Sequence, residues 1–145
     1  MQNRLQIPKI QIPKSIIIVI NQLYELEQKL KKHGDPNNLQ RNLTKMKDAF
    51  AEEGMPGDVR GQLQHICLSY EDPMGQSFKE TRTDLDATIS GSGTDNLVVV
   101  EVIKPIIRSA LRMSAGEITE QDKARFTQVI QKGVVIVESQ KEKKL

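Results

Sequence analysis

Between Met74 and Arg108 the chain reads M-G-Q-S-F-K-E-T-R-T-D-L-D-A-T-I-S-G-S-G-T-D-N-L-V-V-V-E-V-I-K-P-I-I-R. Thr83, Leu85, Ala87 and Ile89 can share one side of an extended chain while Asp84, Asp86 and Thr88 take the other. That two-residue period predicts a half-buried strand. Gly91-Ser92-Gly93-Thr94-Asp95-Asn96 then breaks the chain with residues that accept positive φ or cap turns. Leu97 to Ile103 is almost wholly β-branched and predicts a strand covered on both faces. Pro105 has no N–H for a ladder, so that strand is expected to end, bulge or reach a sheet edge there. A third run, Val129-Ile130-Gln131-Lys132-Gly133-Val134-Val135-Ile136-Val137, is of the same kind. Together the three predict one small sheet at the C-terminal end of a helical stem.

On the N-terminal side, Gln6-Ile7-Pro8-Lys9 echoes Gln11-Ile12-Pro13-Lys14. Prolines five apart forbid a continuous helix, so residues 1–14 read as an extended arm whose isoleucines pack on a neighbour. Ser15 is the expected N-cap of a first helix over Ile16 to Lys32. Ile12, Ile16, Val19, Leu23, Leu26 and Leu30 step by 4, 3, 4, 3, 4, the rhythm of a seam between helices. Lys29, Lys31 and Lys32 complement the negative end of its dipole. His33-Gly34-Asp35-Pro36-Asn37-Asn38 is a stop and a turn.

A second helix is expected over Asn38 to Glu53, with Leu39, Leu43, Met46 and Phe50 on one face, ended by Gly54 and Pro56-Gly57. The pair reads as an antiparallel hairpin. It is too small to bury much alone, which predicts a four-helix bundle completed by a second copy of the chain. The dimer seam assigned to it is Ile16, Val19, Leu23, Leu26, Leu30, Leu39, Leu43, Met46 and Phe50. Val59, Leu63, Ile66 and Tyr70 recur at helical spacing, so Asp58 to Tyr70 is expected as a short helix. Asp72-Pro73-Met74-Gly75 turns the chain into the sheet. Ser109 to Arg125 is a polar excursion, with Thr119 capping a brief helix over Glu120 to Phe126. The expected division is therefore arm 1–14, helical dimerisation region 15–72, small β-domain 73–139 and charged tail 140–145. The fold class is α+β.

Composition narrows the function. The 145 residues hold 3% aromatics and no Trp, which implies a modest aliphatic core. A formal charge of +2 is too near balance to imply a nucleic-acid partner. Residues 1–54 carry 9 basic and 6 acidic side chains, and residues 55–110 carry 5 and 8, a mild offset suited to orienting a protein partner. The single cysteine, Cys67, forms no disulfide within the chain. Ile16 to Ile20 is too short for a signal peptide, and no apolar run reaches membrane-spanning length. A soluble cytoplasmic protein is expected.

Residues suited to bond-making chemistry are few. His33 and His65 stand outside any motif, and with one cysteine there is no ligand set for a metal. Gly91-Ser92-Gly93 lacks the context of a phosphate-binding loop and is a turn. Asp84 and Asp86, two apart on a strand, could serve acid–base work, but an exposed outer face is the simpler reading. Lys104, Arg108, Arg112 and Lys132 lack the interleaved aromatics of a nucleic-acid surface. The residues describe a binding module, not an enzyme, with no cofactor.

Several strings resemble the GrpE family, the nucleotide exchange factors of DnaK-type chaperones. Ile16-Ile17-Ile18-Val19-Ile20-Asn21-Gln22-Leu23-Tyr24-Glu25-Leu26 is similar to the family's L-L-P-V-x-D-N-L-E-R-A bundle helix. Phe50-Ala51-Glu52-Glu53-Gly54 looks like the close of its second helix. Pro73-Met74-Gly75-Gln76-Ser77-Phe78 resembles the P-x-G-x-x-F lead-in to its β-domain. Val99-Val100-Glu101-Val102-Ile103 and Val129 to Val137 resemble its V-x-E-V-L and V-x-x-x-x-V-V-V strands. The likeness covers about residues 13 to 138. Differences stand beside it. The arm is broken by proline where the family has a long stalk helix. Asp84-Leu85-Asp86-Ala87-Thr88 replaces His-Glu-Ala-Val, Ile106-Ile107 stands for Gly-Tyr, and an expected Arg falls near Gln131.

The resemblance implies a homodimer whose β-domain docks on the ATPase domain of a DnaK-type or related actin-fold protein and holds its nucleotide cleft open. Glu80, Arg82, Lys104, Arg108 and Lys132 are the contact residues it implies. The alternative is a dimeric GrpE-derived scaffold or adaptor without exchange activity. Neither reading needs a metal, a membrane or a nucleic acid.

Overall fold

The computed structural model describes residues 10–59, 62–112 and 127–140. Helix α1 spans Lys14–His33. Its N-cap is Pro13 and not Ser15, which lies inside the first turn. The Pro13 carbonyl accepts from the N–H groups of Ile16 at 3.0 Å and Ile17 at 3.3 Å. Proline suits that place because its fixed φ leads into the helix and no donor is wasted. Gly34, at φ 85°, closes the other end by donating to Leu30 O at 2.9 Å.

Helix α2, Leu39–Asp48, is capped from outside. Asp35 Oδ1 accepts from Leu39 N–H at 2.6 Å and Oδ2 from Gln40 N–H at 2.8 Å. Those are donors that no helical carbonyl can reach. The helix then widens into one turn over Ala49–Glu53, and Gly54 N–H reaches five residues back to Ala49 O at 2.9 Å.

Ile20, Leu23, Tyr24 and Glu27 form the buried stripe of α1, and Leu43 is buried on α2. Burying each apolar side chain contributes about 1.5–3 kcal/mol before entropy is counted. The stripe is turned away from the seam expected from sequence and shares only Leu23 with it. Ile10 is buried too, its N–H donating to Gln128 Oε1 at 3.3 Å, so this part of the arm is packed.

Asp58 to Tyr70 is not a helix. Strands β1, Met55–Val59, and β2, Gln62–Glu71, pair antiparallel from Met55 opposite Ile66 to Val59 opposite Gln62. Ile66 and Leu68 are buried while His65 and Ser69 are exposed, the two-residue period of a strand. Pro56 is accommodated because β1 lies at a sheet edge. The remaining strands are β3 (Leu85–Ser90), β4 (Leu97–Lys104), β5 (Ile106–Arg112), β6 (Thr127–Gln131) and β7 (Gly133–Ser139). One sheet has the order β1-β2-β5-β6 and the other β3-β7-β4. The α+β class expected from sequence holds, with two sheets in place of one.

Two compact units result, one drawn from Met1–Ser69 and Arg108–Ile130, the other from Tyr70–Ile107 and Gln131–Leu145. Residues 108–112 and 127–130 fall in the first of these units. In the second unit β3 runs parallel to β7 and β4 antiparallel to it. Leu85, Leu97, Val99, Ile106, Val135 and Val137 form its core, with Phe78, Ala87 and Val102 packed against them.

Two strand expectations need correction. Val129 to Val137 is not one strand: it breaks at Lys132, and β6 and β7 belong to different sheets. Just after the break the packing is tight: a Cβ at Gly133 would lie 2.8 Å from Leu85 Cδ2 and 2.9 Å from Ile106 Cγ1. Nor is β4 covered on both faces throughout. Its register shifts between Val99 and Glu101 and again between Val102 and Lys104, and beyond Val102 the strand opens to solvent, with Ile103 54% exposed. Such bulges re-aim side chains near a strand's end. Pro105 does end β4 as expected, and β5 resumes in the other sheet. The expected helix over residues 120–126 and residues 141–145 of the charged tail lie outside the described residues.

Candidate docking corner of the second sheet

The path into the second sheet is built by short-range bonding. Asp72 Oδ1 accepts from Met74 N–H at 3.1 Å, and Gln76 N–H returns to Pro73 O at 3.0 Å, with Gly75 at φ 80° between them. That turn lays Gln76 to Phe78 along β4. Gly75 N–H donates to Val99 O at 3.0 Å, Val99 N–H to Gln76 O at 2.9 Å and Phe78 N–H to Leu97 O at 2.8 Å. Ser77 bridges Val98. The P-M-G-Q-S-F and V-V-E-V-I strings are therefore partners in one sheet.

A reverse turn follows, Arg82 N–H donating to Lys79 O at 2.9 Å. It leaves Glu80 exposed and directs Arg82 back over the lead-in. Four hydrogen bonds within the chain engage the guanidinium. Nε and Nη2 donate to Asp84 Oδ1 and Oδ2 at 3.0 and 3.1 Å, while Nη1 donates to Gln76 Oε1 at 3.0 Å and Ser77 O at 3.1 Å. This planar two-point grip on a carboxylate is the geometry that sets arginine apart from lysine.

Asp84 carries the grip onward, because its carbonyl accepts from Gly133 N–H at 2.9 Å. One step later Leu85 stands opposite Gly133, and Lys104 stands opposite Val134. The start of β3, the start of β7 and the end of β4 thus meet at one end of the sheet. Lys104 and Lys132 are both exposed there. Gln131 Nε2 donates to Pro105 O at 2.9 Å, satisfying a carbonyl where the chain leaves β4.

Of the five contact residues implied by the resemblance, Lys104, Lys132 and Arg82 are brought to this corner, the last through Asp84. Glu80 is on the turn that leads to it. Arg108 is half-buried on β5, in the other unit. The partners Gln76 and Asp84 were missed as such by sequence reasoning, although the Arg-Thr-Asp spacing was a usable signal.

Of the Asp84 and Asp86 pair, Asp84 is held by Arg82, and Asp86 is exposed on β3. Cys67 is half-buried on β2, its thiol directed at Glu52 O at 3.8 Å. Among the described residues there is no cluster of three or more potential metal ligands and no helix long and apolar enough to cross a membrane.

The expected dimer seam divides. Leu23 and Leu43 are buried within one chain, and Ile16, Leu30 and Phe50 are half-buried. Val19, Leu26, Leu39 and Met46 are between 44% and 51% exposed. No protein-family model, curated protein or solved structure matches this chain.

Proposed function

We propose that this chain is a GrpE-like co-chaperone that binds the ATPase domain of a DnaK-type or related actin-fold protein through its second sheet and speeds nucleotide release. The observation that carries the reading is the pairing of the lead-in, Pro73 to Phe78, with β4 and of β4 with β7. Two of the strings by which the sequence resembles the family's β-domain are thereby neighbours, and β4 also neighbours Gly133 to Val137 of the third, whose Val129 to Gln131 part lies in the other sheet. The helical hairpin precedes them in the chain, as in the family.

On this reading no residue makes or breaks a bond. The second sheet binds the partner's open-cleft state in preference to its closed state, and that difference in affinity lowers nucleotide affinity by the same factor. Lys104 and Lys132 supply electrostatic attraction to an acidic surface, with Glu80 as a further contact. A second copy of the chain covers Val19, Leu26, Leu39 and Met46, since these four and Ile18 are large apolar side chains on one helical hairpin otherwise left half in water.

The test is release of fluorescent ADP from a panel of DnaK-type ATPases mixed with the purified protein. Accelerated release supports the reading. Stable binding without faster release marks the chain as an adaptor, and no binding across the panel overturns the assignment.

A further inference from the structure

The two cations of the docking corner are held by a device that sequence did not reveal. Resting on the functional reading above, we infer that Arg82 is a positioning residue and not a contact: acting through Asp84, it holds Lys104 and Lys132 in place for an acidic patch on the ATPase domain.

Arg82 has already committed most of its donors. It makes four hydrogen bonds inside the chain, to Asp84 twice, Gln76 and Ser77, from a group with five N–H donors. Its side chain is 23% exposed and that of Asp84 is 17%, so the pair is shielded from water on most sides. A partner that drew the guanidinium outward would strip Asp84 of its cation and leave a half-buried carboxylate behind. Recruiting Arg82 directly is therefore opposed by the fold.

What the pair does instead follows from backbone bonding. Gln76 and Ser77 lie beside β4, and Asp84 immediately precedes β3. Asp84 O in turn holds Gly133 N–H at 2.9 Å, one residue beyond Lys132. Gly133 itself has no slack, with Leu85 Cδ2, Ile106 Cγ1 and Lys104 O all within 3.5 Å of where a Cβ would stand. Lys132-Gly133-Val134 is thus clamped between Asp84-Leu85 on one side and Lys104 on the other. Loosening Arg82 frees Asp84, then Gly133, and with it the spacing of the two ammonium groups. Because Arg82 neutralises Asp84, the corner presents Lys104 and Lys132 without a competing carboxylate from that residue. Fixing cations before encounter reduces the ordering cost of binding.

A double-mutant cycle on the full chain separates positioning from contact. Release of fluorescent ADP from the responsive ATPase is measured with Arg82→Ala, Asp84→Asn and both together, beside Lys104→Glu with Lys132→Glu. Amide hydrogen exchange at Phe78 and Gly133 is followed on each protein alone. If Arg82 acts through Asp84, each single change slows stimulated release about tenfold and the double change no further, since the two belong to one interaction. Protection at Gly133 falls in all three, and the lysine pair loses stimulation with protection intact. Additive losses of about a hundredfold would show that Arg82 touches the partner on its own account and overturn the inference. Unchanged protection at Gly133 in Arg82→Ala overturns it as well. Asp84→Asn is nearly isosteric, so a folded variant is available even if Arg82→Ala unfolds. Should the unmodified protein release no ADP from any ATPase, the functional reading fails, a result distinct from a responsive wild type that tolerates Arg82→Ala.

Discussion

Glu27 on α1 and Lys47 on α2 form an ion pair across the helical hairpin, Nζ to Oε2 at 3.0 Å, with side chains 11% and 35% exposed. Gln40 Nε2 donates to the same carboxylate oxygen at 3.2 Å. A glutamate thus occupies the stripe that also holds Ile20, Leu23 and Tyr24. The pair fixes how α2 lies on α1, because an apolar contact alone would allow the helices to slide.

Removing one partner should cost more than removing both. Lys47→Ala leaves a largely buried carboxylate that still accepts from Gln40, and is expected to lower stability by about 1–2 kcal/mol, reduced from the fully buried case by the partial exposure of the lysine. Glu27→Leu combined with Lys47→Met replaces charge by packing and should lie within about 1 kcal/mol of wild type. Urea midpoints at constant slope decide between them. A single variant as stable as the double one would mean that the pair contributes nothing.

Asp35 stands three residues before the N-cap of α2 yet accepts from the N–H groups of both Leu39 and Gln40. Asn38 takes the N-cap position itself in the left-handed conformation, φ 55°, without a side-chain bond to the helix. Asp35→Ala is therefore expected to cost about 1 kcal/mol, and Asn38→Ala to act through backbone strain of similar size. Thermal unfolding followed at 222 nm, the helix band, reads both. No loss in Asp35→Ala would remove it from the capping role.

Gly54 and Gly91 separate two causes of glycine choice. Both have positive φ, 72° and 85°. At Gly54 an added Cβ would meet Ile66 O at 2.5 Å, while at Gly91 nothing lies within 4 Å. Gly91→Ala should cost about 1 kcal/mol for the left-handed backbone alone, and Gly54→Ala at least about 2–3 kcal/mol once the clash with β2 is added. Chemical denaturation of the two variants gives the comparison, and equal costs would dismiss the steric part.

Those same contacts explain which parts of the fold were legible. The hairpin helices and β4 announce themselves through local rhythm and β-branched density. The segment Val59-Leu63-Ile66-Tyr70 fits a helical spacing, yet Gln64, Ile66, Leu68 and Tyr70 fit an alternating one equally well. What decides for strand is β5 beside β2, some forty residues further along, together with a backbone approach at Gly54 that only glycine permits. The need for glycine at 133 is hidden in the same way, since it depends on Leu85 and Ile106 crowding that position. Among the candidate site residues, Lys104 and Lys132 were identifiable as cations. That Arg82 would be occupied by Asp84, Gln76 and Ser77 followed only from the turn at Lys79.

The apolar surface of the hairpin gives the last prediction. Val19 and Leu26 are seven apart on α1, and Leu39 and Met46 are seven apart on α2, so each pair lies on one helical face two turns apart. All four lie outside the stripe that packs α1 on α2, and exchanging them for charge leaves that stripe untouched. Val19→Lys with Leu26→Glu should therefore change the stability of the isolated chain by no more than about 0.5 kcal/mol per site. If a second copy covers this face, sedimentation velocity will show a dimer for the wild type and a monomer for the variant at the same concentration, with matching circular dichroism. The coupling to function is then direct. A monomeric variant that still accelerates ADP release would separate docking by the second sheet from association through the helices. A wild type that sediments as a monomer at all concentrations tested would remove the second copy from the proposal and leave those four side chains to the partner.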